Sequence, residues 1–281
     1  MSRLRIVHHT GFRYAAPATA SYNEARMHPH SREGQIVWET ALEISADASR
    51  NTYSDYWGTT VSTFEVLIPH EELSVRATSV VDIRPRPLAP ATMGWDELAR
   101  RIPISVTLNE CLEQTPATAP DEDMLALAAR IKAEGGNVDQ TARAICQAIG
   151  EAMEYRRGVT GVQSTAQDAW QARTGVCQDI AHVSLGVLRS AGIPARYVSG
   201  YLHPDREAPV GVPVVGESHA WIEWFAGEWR GYDPTNLCEI GELHVYVGHG
   251  RDYSDVPPLR GVYAGSSGSD MFVSVELTRL N

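Results

Sequence analysis

Three side chains that lie far apart in this chain could together supply a nucleophile, a base and a group to orient that base: the thiol of Cys177, the imidazole of His219 and the carboxylate of Asp233. A thiol attacks a carbonyl carbon as thiolate, so its ordinary pKa of about 8.5 must be lowered by a helix N-terminus or a neighbouring imidazolium. Cys177 follows Gly175 and Val176, and after it Ile180, Ser184, Val187, Leu188 and Ala191 recur at helical spacing until Gly192 and Pro194 end the run. The pattern sets Cys177 at the start of a helix. There the first N–H groups have no partner within the helix and can face an oxyanion, and Gly175 is expected to give the backbone its tight turn into the helix. The backbone N–H of Cys177 is the first expected oxyanion donor, with Tyr155, Gln163 and Trp170 as candidates for a second.

His219 lies in the alternating segment Glu217-Ser218-His219-Ala220-Trp221-Ile222-Glu223-Trp224-Phe225, and Gly227 marks a turn into Trp229-Arg230-Gly231-Tyr232-Asp233-Pro234. A three-residue loop over Phe225 to Gly227, with Gly227 left-handed, pairs Trp224 with Glu228 and puts His219 directly opposite Asp233. Residues so opposed have Cβ atoms about 5 Å apart, close enough for the carboxylate to fix the imidazole tautomer while the other nitrogen faces Cys177. A two-residue loop would slip the register by one and separate the pair. Asn236 is the alternative partner, and the hairpin pairing favours Asp233.

Two kinds of element must position these groups. From Leu4 to about Ile83 the apolar period is two, with Gly11, Pro17, Gly34, Asn51, Gly58 and Pro69 as breakers, which suggests five to seven short strands in a sandwich. Pro85, Pro87 and Pro90 then mark a linker. Beyond it the period becomes helical: Asp121 to Glu134, a second helix after Asn137 and Gln140 as a capping pair, a short third over Thr165 to Ala172, and the helix of Cys177. Strand candidates follow at Arg196 to Leu202, Ser218 to Phe225, Glu228 to Asp233, Leu243 to Gly248 and Met271 to Leu280. The expected class is α+β, with residues 1–90 as an N-terminal β-sandwich and 91–281 as a catalytic core of helices packed on an antiparallel sheet.

Composition narrows the partners. The 281 residues suffice for one large or two small domains, and 43% apolar with 21% charged residues is ordinary for a globular chain. A formal charge of −11, from 24 basic against 35 acidic residues, discourages nucleic acid and anionic membranes as partners. No long apolar run or secretory leader is seen, so the chain reads as soluble and cytoplasmic. Four scattered cysteines without a CxxC pair argue against a zinc ribbon or a disulfide scaffold. Cys146 reads as core, and Cys111 and Cys238 lack an evident base.

The remaining candidates carry less. Asp179, in the first helical turn, interacts with the helix dipole, lines a cleft, or is simply an acidic residue of a first turn. His182 reads as structural. His8 and His9 point to opposite faces of one strand and, with His28 and His30, make a poor metal set, so neither metal nor cofactor is expected. Trp221, Trp224 and Trp229 read as packing, and Gly158 and Gly161 fit either a lid or a turn.

The motifs Thr174-Gly175-Val176-Cys177-Gln178-Asp179-Ile180-Ala181-His182, Gly192-Ile193-Pro194-Ala195-Arg196-Tyr197-Val198-Ser199-Gly200-Tyr201, Ser218-His219-Ala220-Trp221 and Asp233-Pro234-Thr235-Asn236 occur in this order. Together they resemble the transglutaminase-like superfamily. Leu4 to Thr10 with Asn23 to Arg26, and Gly250 to Pro258, are similar to the terminal regions of bacterial transglutaminase-like cysteine proteases. The resemblance implies a papain-like core with Cys177 as nucleophile, His219 as general base then acid, and Asp233 as orienter. It implies thioester chemistry on a peptide or protein amide, most simply hydrolysis. A protein-glutamine transamidase and a non-catalytic binding scaffold are the alternatives, and an inhibited state with the N-terminal domain or Arg251 to Pro258 over the cleft is a further one.

Overall fold

The computed structural model describes residues 1–158, 161, 163–266 and 268–281. Strands β1 (Ser2–Ala18), β2 (Ala20–Ala25), β3 (Gln35–Ile44), β4 (Ser49–Ser54), β5 (Thr60–Val66) and β6 (His70–Ile83) occupy the period-two region. Leu4, Ile6, His8 and Thr10 of β1 are buried in alternation, as the sequence pattern requires. Two sheets pack face to face around Tyr14, Met27, Phe64, Leu73, Val75 and Leu259, giving the expected sandwich.

The second half contains α1 (Trp95–Arg101), α2 (Val106–Glu110), α3 (Glu122–Ala133), α4 (Val138–Ala152), β7 (Glu154–Tyr155), α5 (Ala166–Ala172), β8 (Thr174–Gly175) and α6 (Cys177–Ser190). Strands β9 (Ala195–Leu202), β10 (Pro213–Gly216), β11 (Ser218–Phe225), β12 (Trp229–Asp233), β13 (Cys238–Glu239), β14 (His244–Gly250), β15 (Leu259–Ala264) and β16 (Ser269–Arg279) follow. Helix starts stand where their capping residues are. Asp121 accepts from the Met124 N–H, Asn137 and Gln140 close a capping box, and Thr165 does the same with Asp168. Helix α6 is sunk in the middle, with Ile180, Val183, Leu185, Val187 and Leu188 at 1% exposure or less. It packs against α3, α4 and α5 and against the sheet β13-β12-β11-β9-β14.

The chain returns to its start. Strand β16 pairs with β1 along Leu4↔Arg279 to Tyr14↔Ser269, β10 pairs with β16, and β15 pairs with β2. Residues 259–279, which the proline-marked division groups with the catalytic core, thus complete both N-terminal sheets. The reason is that a 17-residue strand such as β1 has two edges to satisfy. Its side away from β6 is met by β16, whose Val275 and Leu277 enter the core opposite His8 and Ile6.

Buried Arg189, on α6, ties the connections to this core. Its guanidinium donates to the carbonyls of Cys111 (3.1 Å), Glu113 (3.1 Å), Ala195 (2.9 Å) and Arg251 (2.6 Å) and to Thr118 Oγ1 (3.1 Å). The carbonyls among these acceptors belong to connecting segments and strand ends, and that of Cys111 also accepts from the Ala195 N–H (2.9 Å). Gly158 sits in a turn at φ +75°, and the Gly161 N–H donates to Ser164 Oγ at 3.1 Å; other residues of that segment lie outside those described. Among the described residues no helix is long and apolar enough to cross a membrane.

Candidate active site

Cys177 is the first residue of α6 and is partly exposed. The helix start is fixed from behind by the short parallel pair β7–β8, in which the Glu154 N–H donates to the Arg173 carbonyl (2.8 Å) and the Arg156 N–H to the Gly175 carbonyl (2.9 Å). Asp179, buried at 1% exposure, accepts from the Val176 N–H at 2.8 Å, so it caps the helix that carries the thiol. Gly175 serves this cap by its size. A Cβ at 175 would lie 2.6 Å from Asp179 Cβ and 2.7 Å from its Oδ2, so the requirement is close approach, where the sequence suggested a tight turn.

The hairpin that carries the other two groups differs in register from the expectation. Phe225 pairs with Trp229 and Ile222 with Tyr232, the loop is Ala226 to Glu228, and Gly227 is its middle residue at φ +96°. An edge-on contact between the Phe225 and Trp229 rings (5.7 Å) and the Ala226 N–H to Glu228 carbonyl bond (3.0 Å) favour this closure. Because the strand pattern is periodic in two, the shift moves Asp233 to a diagonal position without changing its side of the sheet. It still meets His219: Nε2 lies 2.7 Å from Asp233 Oδ2, which leaves Nδ1 for the Cys177 side chain, whose influence on the imidazole adds to that of Asp233.

Asp233 is fully buried and richly held. Its Oδ1 accepts from the N–H groups of Thr235 (3.0 Å) and Asn236 (3.1 Å), and its Oδ2 also accepts from Asn236 Nδ2 (2.7 Å). Asn236 therefore braces Asp233 and does not replace it. Burial would raise the carboxyl's pKa, but the bonds from His219 and His244, the His219 charge and Asn236 hold it well below the usual range. Burial likewise opposes a charged His219, yet the hydrogen bonds and charges of Asp233 and Cys177 push the imidazole up to about 10.

Cys177 and His219 line a cleft of about 380 Å³, with Asp233 buried behind His219. Tyr155, Tyr197 and Tyr253 line it on one side, and Val215, Val273 and Val275 contribute a wall from β10 and β16. The segment 251–258 supplies wall residues Tyr253 and Pro258. Of the expected second oxyanion donors, Tyr155 is at the cleft, Trp170 is buried in the helical core, and Gln163 is exposed and away from the lining. Tyr197 is a lining hydroxyl that sequence reading missed. The other thiols are poor nucleophiles: burial pushes Cys111 up to about 11, Cys146 higher still, and Cys238 upward.

Trp221 and Trp224 are packed in the interior at 1% exposure or less, and His182 is buried, accepting from the Tyr253 N–H at 3.2 Å. His8 bonds Tyr201 (2.9 Å) and His9 bonds Ser74 (2.6 Å), so the two share no ligand position. One unexpected residue joins the centre. His244, at the start of β14, places Nε2 3.3 Å from Asp233 Oδ2. Its strand alternation gave no sign of this, because the contact spans both β9 and β11. Ligand atoms of His219, Asp233 and His244 lie within 4.8 Å of one another, a spacing a metal ion could use. The donor set does not suit one. The Gly241 N–H donates to His244 Nδ1 at 3.2 Å, so the ring proton sits on Nε2, where a metal would need a lone pair.

Such a constellation, a thiol at a helix start with an imidazole braced by a buried carboxylate, is that of thiol acyl-transfer proteins. Residues 125–234 match the transglutaminase-like superfamily and residues 4–82 the bacterial transglutaminase-like N-terminal region. The chain belongs to the transglutaminase-like superfamily. It is 44% identical over 280 residues to an uncharacterized protein of Mycobacterium leprae, covering 100% of both chains. It is 33% identical over 294 residues to one of Mycobacterium tuberculosis, covering 98% of this chain and 92% of the other. A protein-glutamine gamma-glutamyltransferase of Pseudomonas aeruginosa is 35% identical over 112 residues, which is 36% of this chain and 17% of that protein. The fold is shared with a candidate cysteine protease of Cytophaga hutchinsonii, with a TM-score of 0.78 and 21% identity over 100% of this chain and 91% of the other.

Proposed function

We propose that this protein is a cysteine amidase or peptidase working through a Cys177, His219 and Asp233 triad. The observation that carries the reading is that His219 joins the thiol to a buried, ionised carboxylate at the wall of an open cleft. Cys177 Sγ attacks the carbonyl carbon of an amide, and the oxygen takes up negative charge beside the first N–H groups of α6. Collapse of this intermediate breaks the C–N bond as the His219 imidazolium delivers its proton to the departing nitrogen. His219, now neutral, takes a proton from water, the hydroxide oxygen attacks the thioester carbon, and the S–C bond breaks to release the acid and restore the thiol. Asp233 keeps the imidazole in one orientation and supports its charge throughout. Four unpaired thiols suit a reducing cytoplasm.

The second reading replaces water with an amine, giving an isopeptide bond. It is favoured by the local similarity to the gamma-glutamyltransferase over 36% of this chain. Peptide and glutamine-amide libraries, incubated with and without a labelled primary amine, separate the two: release of acid supports hydrolysis, and retained label supports transamidation. Cys177→Ala is expected to abolish both products while leaving the fold intact. Full turnover in that variant would end the proposal.

A further inference from the structure

Orienting one imidazole needs one carboxylate oxygen and one means of holding it, and Asp233 has more than that. His244 approaches Oδ2 from β14, which is separated from β11 by β9. The tautomer of its ring follows from the chain itself. A backbone N–H only donates, so the Gly241 N–H on Nδ1 (3.2 Å) requires a lone pair there and puts the ring proton on Nε2, facing Asp233. The His244 N–H in turn donates to the Gly241 carbonyl (3.1 Å), so the two residues close a small ring of bonds that holds the side chain. The ring is 6% exposed and meets Trp221 edge-on at 5.5 Å, with the His219 ring 6.2 Å away.

Between the two histidines lies Gly200, paired with His219 on one side and Tyr246 on the other. A Cβ at 200 would come within 2.5 Å of the Trp221 ring. The missing side chain leaves room for the indole over β9, where His244 meets it edge-on. These residues share one face of the sheet, so the contact is a property of the alternation.

We infer that His244 is a positioning residue of the triad: its Nε2–H holds Asp233 Oδ2 in place and takes up part of the carboxylate's charge, so that His219 is oriented without its proton being held too tightly. The inference rests on the acyl-transfer reading above. Three donors share Oδ2, from His219, Asn236 and His244. Removing one concentrates the charge on the remaining two, and the bond to imidazolium strengthens. The ionisable groups facing His219 are Cys177 from α6, Asp233 from β12 and His244 from β14.

The test follows carbamidomethylation of Cys177 by iodoacetamide, read on its own peptide by mass spectrometry across the pH range. In the wild type the profile should contain an upper step, where His219 loses its proton. His244→Phe keeps a ring without a donor and is expected to move that step up by about half to one pH unit, three- to tenfold in proton affinity. His244→Gln, whose amide can donate from the same place, should bring it back. A step unmoved in His244→Phe, or moved equally in both variants, overturns the role, whatever their melting temperatures. Independently of how the variants fold, imidazole nitrogen spectra of the wild type should place the His244 proton on Nε2, and a proton on Nδ1 overturns the inference. A wild-type profile with no imidazole-linked step would overturn the triad reading and this one together; a step that His244→Phe fails to move counts only against His244.

Discussion

Replacing Asp233 by Asn keeps the shape of the side chain and removes its charge, and the surrounding donors make the consequence calculable. Either placement of the amide is wrong. With its NH₂ at the Oδ1 position it faces the N–H groups of Thr235 and Asn236; at the Oδ2 position it faces His219, Asn236 and His244. At least two buried donors lose their acceptor, at about 1–3 kcal/mol each, so the cost is roughly 2–6 kcal/mol. A second loss depends on pH. The imidazole of His219 is raised from 6.5 to about 10, with the Asp233 bond the leading cause that raises it against burial. A folded pKa above the unfolded one contributes stability that is complete below about 6.5 and disappears as pH rises through about 10. At about 1.36 kcal/mol per unit, the wild type holds roughly 4–5 kcal/mol from this source at pH 6. Urea unfolding of both proteins at pH 6 and pH 10.5 reads it directly. The difference between wild type and Asp233→Asn is expected to be several kcal/mol at pH 6 and to shrink by about 2 kcal/mol or more at pH 10.5. A difference that is the same at both pH values would refute the coupling of Asp233 to a charged His219.

Two further substitutions probe how the thiol is placed. Gly175→Ala drives a methyl into Asp179 and should break its bond to the Val176 N–H, costing about 2–4 kcal/mol in urea unfolding and slowing carbamidomethylation of Cys177 by iodoacetamide. Arg189→Met keeps the aliphatic stem but removes the guanidinium donors to the carbonyls of Glu113, Ala195 and Arg251; a loss of at least about 3 kcal/mol is expected, and a change under about 1 kcal/mol would show that water replaces the guanidinium.

What could be read from sequence was what is decided locally. Asp121, Asn137 with Gln140, and Thr165 each announce a helix within four residues of themselves, and α3 to α6 begin where these signals and Cys177 stand. The helices α1 and α2 went unread because seven and five residues are too few for a period to show. The hairpin was right in kind and two residues out in register, an error that the two-residue strand period forgives for His219 and Asp233. His244, Tyr197 and the cleft wall from β16 were invisible because each depends on strands brought together from distant parts of the chain.

The pairing of β16 with β1 bears on how the protein is made. Ser269–Arg279 leaves the ribosome after every other element described here, yet it is the neighbour of the first strand and its Val273 and Val275 wall the cleft. During synthesis β1 must therefore wait with one edge bare, exposed to pairing with other nascent chains, until the far end arrives. Such long-range closure makes folding slow. It also means that a chain interrupted before β16 lacks a side of the cleft, so a half-made protein carries its thiol without the groove that would present substrate to it.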